Sequence, residues 1–117
     1  MDGVDIFKAI LDSLIDEIVF VDAEHIIRYM NPAGKNHYAR FGDVIGHSIF
    51  LCHNEQSARR IKDIFTQLQA GAEEVLYLDN HEHQVYMRAV RDDVGTLVGY
   101  YERYAAPRKS LNREDRR

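Results

Sequence analysis

The chain has 117 residues, 45% of them hydrophobic and 29% charged, which is the size and composition of a single folded domain. Its formal net charge of −4 is uneven, because residues 107–117 carry +3 and leave −7 on residues 1–106. Since nucleic-acid binding needs a positive surface, we predict no nucleic-acid partner. Cys52 is a single cysteine and excludes an internal disulfide. No apolar run approaches the ~20 residues of a membrane span, and the N-terminus lacks a signal pattern, so we predict a cytoplasmic protein without a membrane partner.

Residues 1–15 have the periodicity of an amphipathic helix, which we predict over residues 3–15. Apolar side chains recur at helical spacing, and they are Val4, Phe7, Ile10, Leu11, Leu14 and Ile15. Two roles are consistent with this pattern. The helix covers one face of its own sheet, or it packs against the same helix of a second subunit, and periodicity alone does not choose between them.

Residues 16–34 predict strand, turn, strand and helix in close succession. The elements are a β-branched strand at 18–21, a turn at 22–25 and a second strand at 26–30. Asn31 is placed to cap the following helix, and Pro32 suits its first position because no N–H donor is needed there. That helix is predicted to end at Arg40, close to Gly42.

The second half of the chain predicts one long helix followed by three strands. Asn54 is a good N-cap and Gly71 ends the helix. The apolar stripe of this helix is formed by Ile61, Ile64, Phe65 and Leu68. The three strands are predicted at residues 75–78, 85–90 and 97–105, with polar turns between them.

The order of strand, acidic turn, strand, Asn-Pro-Ala and helix strongly resembles the opening of a PAS domain. The resemblance covers nearly the whole chain, because no expected element is missing from residues 16–105. It implies an α+β PAS fold at residues 16–106: a five-stranded antiparallel sheet with helices over one face, preceded by the amphipathic helix. Residues 107–117 are then a basic polar tail or the start of a linker. The resemblance also implies a sensory signal-transduction module that is not an enzyme, and a homodimer through the N-terminal helix.

Residues 51–59, Leu-Cys-His-Asn-Glu-Gln-Ser-Ala-Arg, resemble a bacterial PAS subgroup with a Cys-His-Pro-x-x-Ser segment. They also resemble haem-binding PAS regulators that sense carbon monoxide, which implies haem as a cofactor with His53 as the iron ligand. Asn54 stands where the subgroup has proline, and no strand methionine clearly supplies a second axial ligand. The predicted pocket walls are Ile61, Ile64, Phe65, Tyr77 and Met87. The alternative is that His53 is a capping or core histidine bonded to the backbone.

Four other histidines predict no site. His25 lies in the hairpin turn and is predicted to be solvated, whereas His37 is predicted to be partly buried without a function. His81 and His83 share one face of an extended segment, which is the spacing of a weak metal site. No third ligand is near them in the sequence, so we predict that both are exposed and dispensable.

Three functions remain open at this point. The first is a sensor that holds a small molecule or haem and passes a conformational change to a downstream signalling domain or protein. The second is a cofactor-free dimerisation or docking module. A third and weaker one is a small enzyme that uses Cys52 and His53, although no catalytic spacing or phosphate-binding loop supports it.

Overall fold

The computed structural model describes residues 3–80, 82 and 84–105, so the predictions for His81, His83 and residues 107–117 lie outside the described residues. The helices are α1 (Ile6–Asp12), α2 (Pro32–His37) and α3 (Glu55–Gln69), with 3₁₀ turns at Ala39–Phe41 and Ile49–Cys52. The strands are β1 (Val19–Asp22), β2 (Ile27–Met30), β3 (Glu74–Asp79), β4 (Gln84–Arg91) and β5 (Leu97–Ala105). Each predicted strand is present, within one residue of its predicted ends.

The five strands form one antiparallel sheet in the order β2-β1-β5-β4-β3. Because side chains alternate across a strand, the central β5 presents Tyr100, Glu102 and Tyr104 to the same face. Glu102 is paired with Val19 of β1 and with Met87 of β4, so its carboxyl lies in the middle of that face. The predicted five-stranded antiparallel sheet with helices over one face is confirmed.

The hydrophobic core lies between this inner face and α3. The predicted stripe of α3 is buried, with Ile64 and Leu68 fully inaccessible to solvent. The Asn54 side chain caps α3 by accepting a hydrogen bond from the Ser57 N–H at 2.8 Å. Gly71 follows the helix with φ +118, a conformation that suits glycine, so the predicted cap and stop are both present.

α1 is shorter than the predicted helix over residues 3–15, and it lies beside the outer face of the sheet. Asp5 caps it by accepting from the Lys8 N–H at 3.0 Å. It ends at Asp12, and the Asn31 side chain donates hydrogen bonds to the carbonyls of Leu11 and Leu14 at this end. No residue of α1 is buried.

α2 also ends earlier than predicted, at His37 and not at Arg40. Tyr38 leaves helical geometry, with φ −100 and ψ 14, and a 3₁₀ turn then leads to Gly42 at φ +78. At the other end, Gly34 lies so close to β1 that a Cβ there would come within 2.7 Å of the Ile18 carbonyl. The close approach fixes α2 against the sheet and leaves the residues after it to border a cleft.

Candidate functional site

A cleft of about 530 Å³ opens between the C-terminal end of α2 and the N-terminal end of α3, and we call it the α2–α3 cleft. Its lining residues are His37, Tyr38, Arg40, Phe41, Leu51, Cys52, His53, Asn54 and Ser57. The ring centroids of Tyr38 and His53 are 6.3 Å apart, and those of Tyr38 and Phe41 are 6.1 Å apart. The cleft thus combines aromatic rings with several polar groups, which can fix the orientation of a small molecule.

His53 lies in this cleft with one ring nitrogen already used. Its Nδ1 is 3.0 Å from the Ile49 carbonyl oxygen, and because a carbonyl only accepts, Nδ1 carries the hydrogen. Burial lowers the pKa of His53, and the hydrogen bond to Ile49 offsets this only in part, so the ring is neutral near pH 7. Its Nε2 is therefore an acceptor for a ligand in the cleft.

Glu102 lies beneath the cleft, and sequence reasoning missed it. Only 4% of the residue is exposed. Its Oε1 accepts hydrogen bonds from the phenol hydroxyl of Tyr104 at 3.2 Å and from that of Tyr38 at 3.4 Å. Burial raises the pKa of Glu102, which the two hydroxyls and His37 offset only in part. The sequence signal was the alternation in β5, which places Glu102 on the same face as Tyr100.

Cys52 separates the rim of the cleft from this buried carboxyl. Burial is the main cause that raises the pKa of Cys52, and the negative charge of Glu102 acts in the same direction. Arg40 lowers it to a smaller extent. Since the thiolate is the nucleophilic form, a raised pKa lowers the thiolate fraction of this cysteine and gives no support to its use in covalent catalysis.

The six predicted site residues do not line one cavity. His53 is in the α2–α3 cleft, whereas Tyr77 borders a separate groove beside Gln56 and Arg60. The other four, Ile61, Ile64, Phe65 and Met87, are packed in the core and are between 0% and 8% exposed.

Haem is therefore not accommodated by this arrangement. The donor chemistry of His53 suits iron, because its second nitrogen is held by a backbone carbonyl and Nε2 is free. The walls do not fit, because Met87 and the α3 stripe contact one another and leave no slot for a porphyrin beside His53. Within the described ranges no three metal-ligating side chains cluster either.

The prediction that His25 is solvated is wrong. Its ring packs against Phe65 at 4.7 Å, Phe50 at 4.9 Å and Tyr100 at 5.9 Å between centroids. Its Nδ1 lies 2.9 Å from the Tyr100 hydroxyl, and its backbone has φ +67. The turn bends in a left-handed conformation that points the ring inward, where aromatic residues from α3 and β5 surround it. Burial lowers the pKa of His25, and the nearby charge of Lys62 acts in the same direction.

Asn31 connects the start of α2 to the end of α1. It is fully buried, and its Oδ1 accepts from the N–H groups of Ile18 and Gly34 at 3.0 and 2.8 Å. Its Nδ2 donates to the carbonyls of Leu11 and Asp16 at 3.2 and 2.9 Å. The predicted capping role is present, and the same side chain also fixes the segment between α1 and β1.

A second connection runs from the cleft to the same segment. His37 Nδ1 lies 3.0 Å from Glu17 Oε2, and the His37 ring packs against that of Tyr104 at 5.8 Å. The side chain of His37 is 41% exposed, so the residue is exposed and the predicted partial burial is wrong. Glu17 precedes β1 and His37 lines the cleft, so this pair connects the cleft to the α1–β1 segment.

The outer face of the sheet bears an apolar groove beside α1, about 450 Å³ in volume, which we call the outer groove. It is lined by Leu11, Leu14, Ile18, Phe20, Tyr29, Val90 and Tyr101. Along the same helix Phe7 is 78% exposed and Ile10 53%, and the following Ile15 is 93% exposed. The sheet thus leaves apolar side chains of this N-terminal segment exposed to solvent beside the outer groove.

The chain is an α+β domain with a five-stranded antiparallel sheet, helices over one face and a cleft beside the longest of them. Residues 7–105 match the family model of the PAS domain, and the chain belongs to that family. Comparison with curated proteins gives no match. PAS domains are generally sensory modules without catalytic activity.

Solved structures agree with this assignment. The chain is similar to the C-terminal domain of a protein from Streptococcus mutans, with 27% identity, a TM-score of 0.73, and coverage of 91% of this chain and 86% of the other. The PAS domain of Bordetella pertussis BvgS is 20% identical, with a TM-score of 0.66 and coverage of 97% and 94%. The Aer2 receptor from Vibrio cholerae, described as a dual PAS-haem oxygen sensor, is 17% identical, with a TM-score of 0.53 and coverage of 78% and 93%. The last two likenesses concern the fold alone.

Among the residues that the structure describes, no helix has the length and apolar composition needed to cross a bilayer.

Proposed function

We propose that this chain is a sensory PAS module that binds a small molecule in the α2–α3 cleft and transmits the resulting change to α1. The observation that carries the proposal is the double connection between the cleft and the α1–β1 segment. One connection is the His37–Glu17 pair at 3.0 Å, and the other is the buried amide of Asn31. A ligand that shifts α2 must therefore change contacts at the end of α1, and it acts by binding one arrangement more tightly than the other.

The ligand in this proposal is not haem. The α2–α3 cleft is large enough for a small aromatic molecule, and the free Nε2 of His53 offers a hydrogen-bond acceptor to an N–H or O–H group. The raised pKa of the Cys52 thiol supports a binding role over catalysis. The module is accordingly not an enzyme, and its output is directed to a downstream signalling domain or protein in the cytoplasm.

The active form is a homodimer through α1. Phe7 and Ile10 of α1, together with Ile15 that follows it, are apolar side chains exposed to solvent beside the outer groove in the described part of the chain. In a two-fold pair the exposed side of one helix covers the groove of the other protomer, so each chain provides both halves of the interface. Burying a Phe or Ile side chain contributes roughly 1.5–3 kcal/mol, which makes these three residues the main source of dimer stability.

The same exposed helix favours a second candidate, a cofactor-free dimerisation or docking module. In that case α1 is the functional surface, and the α2–α3 cleft is a packing feature without a ligand. The two candidates share the dimer, so only ligand binding separates them.

The test is to titrate the ¹⁵N-labelled chain with indole and with 2-phenylethanol, two neutral aromatic probes with a hydrogen-bond donor. We expect concentration-dependent shifts of the amides of Tyr38, His53 and Ser57, with smaller shifts at Leu11 and Glu17. The variant His53→Phe keeps a ring in the cleft but lacks the acceptor, and we expect it to bind both probes more weakly. No shift at the cleft residues with either probe would favour the cofactor-free module.

A further inference from the structure

Among the residues that the structure describes, Glu102 is a buried acid that forms no ion pair. The acids that do form ion pairs there are Asp12, Asp22, Glu17 and Glu74, and each of these side chains is at least 21% exposed. Glu102 is 4% exposed, and its hydrogen bonds come from two neutral phenols. A carboxylate in such a place is poorly solvated, so an acid at this position lowers the stability of the fold. Packing alone does not require an acid there.

Glu102 is connected to the cleft through Tyr38. The phenol hydroxyls of Tyr38 and Tyr104 both donate to Glu102 Oε1, and the Tyr38 ring itself lines the cleft beside Phe41. Aromatic faces attract ammonium groups electrostatically, and a desolvated carboxylate is a suitable counter-ion for them. An acid directly behind an aromatic cleft wall therefore offers the two interactions that select a positive charge.

We propose that the α2–α3 cleft binds a small organic ammonium ion, whose charged nitrogen pairs with Glu102 while its apolar part lies against Tyr38, Phe41 and Leu51. This inference rests on the proposed sensory function and names the ligand class for the same cleft. The volume of about 530 Å³ admits a small arylalkylamine and excludes large cofactors from the space as it stands.

Tyr38 controls access to the acid. It lines the cleft, is only 5% exposed and separates Glu102 from the open space. Its hydrogen bond to Glu102 is long, at 3.4 Å, so rotating the phenol away breaks only a weak interaction. The ammonium then takes the place of the Tyr38 hydroxyl, and the rotation disturbs the residue that follows His37, which links binding to the proposed path toward α1.

Binding has a defined proton balance. The ammonium ion enters with all its protons and pairs with the ionised carboxylate of Glu102, so below the raised pKa of Glu102 binding releases the carboxyl proton to solvent. The groups that act electrostatically on Glu102, or on which Glu102 acts, are Glu17, His37, Tyr38, Cys52, Tyr77, Tyr100 and Tyr104. His37 is the histidine among them and is paired with Glu17, so His37→Gln serves as the control for its protonation.

Arg40 is the cation at the rim of the cleft. Its guanidinium lies over the Phe41 ring, 4.7 Å from the centroid, and it is exposed to solvent. Its charge opposes an arriving ammonium ion, although solvent screens this repulsion. The variant Arg40→Ala should therefore tighten the binding of a cation and weaken that of an anion, the opposite of the effect of changing Glu102.

The experiment compares three probes of one shape by calorimetry and amide shifts: 2-phenylethylammonium, the neutral 2-phenylethanol and the anionic 3-phenylpropionate. We expect the cation to bind about tenfold more tightly than the alcohol, a preference of roughly 1.4 kcal/mol. Its affinity should increase with pH until Glu102 is ionised, in the parent and in His37→Gln alike. Glu102→Gln should abolish both the preference and the pH dependence while 2-phenylethanol still binds.

Other outcomes overturn the inference. If the alcohol or the carboxylate binds the cleft as tightly as the cation, the ligand class is wrong, although the sensory function stands. If the cation binds but Glu102→Gln binds it equally well, the charge is recognised elsewhere. If none of the three probes, nor indole, shifts the cleft residues, both the inference and the proposed function fail.

Discussion

The side-chain amide of Asn31 donates a hydrogen bond to the Leu11 carbonyl at 3.2 Å, so the residue that begins α2 also holds the end of α1. The same amide donates to the Asp16 carbonyl at 2.9 Å, just before β1. An asparagine that only capped a helix would need one of these contacts at most. Asn31 is fully buried between the end of α1, the start of β1 and the start of α2. Its hydrogen bonds therefore connect the cleft side of the sheet to the outer face.

Replacing Glu102 by glutamine should stabilise the chain, and the gain should grow with pH. The folded-state pKa of Glu102 is raised above its unfolded value. The contribution of Glu102 to the free energy of unfolding is therefore fully present below about pH 4.5 and is lost as pH increases through the folded-state pKa. Glutamine keeps the shape without the charge. The free energies of unfolding of parent and variant, measured in urea at several pH values, should diverge upward from pH 4.5, and an equal difference at every pH would contradict this reasoning.

His25 should make the fold less stable as pH falls, whereas Glu102 should make it less stable as pH increases. Burial lowers the folded-state pKa of His25 below its ordinary value of 6.5. The contribution of His25 to the free energy of unfolding is therefore complete above pH 6.5 and is lost as pH falls through the folded-state pKa. The variant His25→Asn retains a residue that tolerates φ +67 and removes the titrating ring. It should be less stable than the parent near neutral pH, and the difference should shrink on acidification.

The control for His25 is the exposed histidine His47, which no aromatic ring in the described residues surrounds. Substituting His47 by Asn should change the free energy of unfolding by less than about 0.5 kcal/mol at every pH. An NMR titration of His25 that gave an ordinary histidine pKa would contradict the packing argument.

The chain should not take up stoichiometric haem. His53 is a chemically suitable ligand, but the predicted walls Ile64 and Met87 are fully buried in the core and do not face it. Titrating the parent chain with hemin should give only the weak, broad absorption of nonspecific association. A sharp visible band in the parent that disappears in His53→Ala but persists in His37→Ala would instead restore the haem assignment.

The proposed dimer should dissociate when α1 is made polar. Phe7→Asp combined with Ile10→Asp removes two apolar side chains that are 78% and 53% exposed in the single chain, and at roughly 1.5–3 kcal/mol each this is enough to disrupt an interface. Val94→Asp alters an apolar residue of the β4–β5 turn that is 82% exposed, and it serves as the matched control. Light scattering should show a monomer only for the double variant, and a monomeric parent at high micromolar concentration would contradict the proposal.

The sequence predicted the fold well wherever local patterns decide it. The stripe of α3, its cap at Asn54 and its stop at Gly71 are all local signals, and each is present in the structure. The whole-chain resemblance to PAS domains then supplied the five-stranded antiparallel sheet, which no single local pattern contains, whereas the strand order comes from the structure alone.

The site was predicted less well, because its features depend on contacts between distant segments. The burial of Glu102 involves Tyr38, which follows α2, and Tyr104 of β5, whereas an acid in a strand is ordinarily expected at the surface. His25 is in a polar turn by sequence, yet α3 and β5 supply rings that pack against it. Likewise the contacts at the end of α1 come from Asn31, a residue outside the helix and its caps.

The most direct test of the sensory account is hydrogen exchange of the chain with and without saturating 2-phenylethanol, measured also in Asn31→Ala. We predict that the probe slows exchange at Tyr38 and His53 and changes it at the amides of α1, Ile6–Asp12. In Asn31→Ala the response at the cleft should remain, whereas the response of α1 should be lost. Slowed exchange confined to the cleft, with α1 unchanged in the parent, would contradict the claim that this module transmits ligand binding to its N-terminal helix.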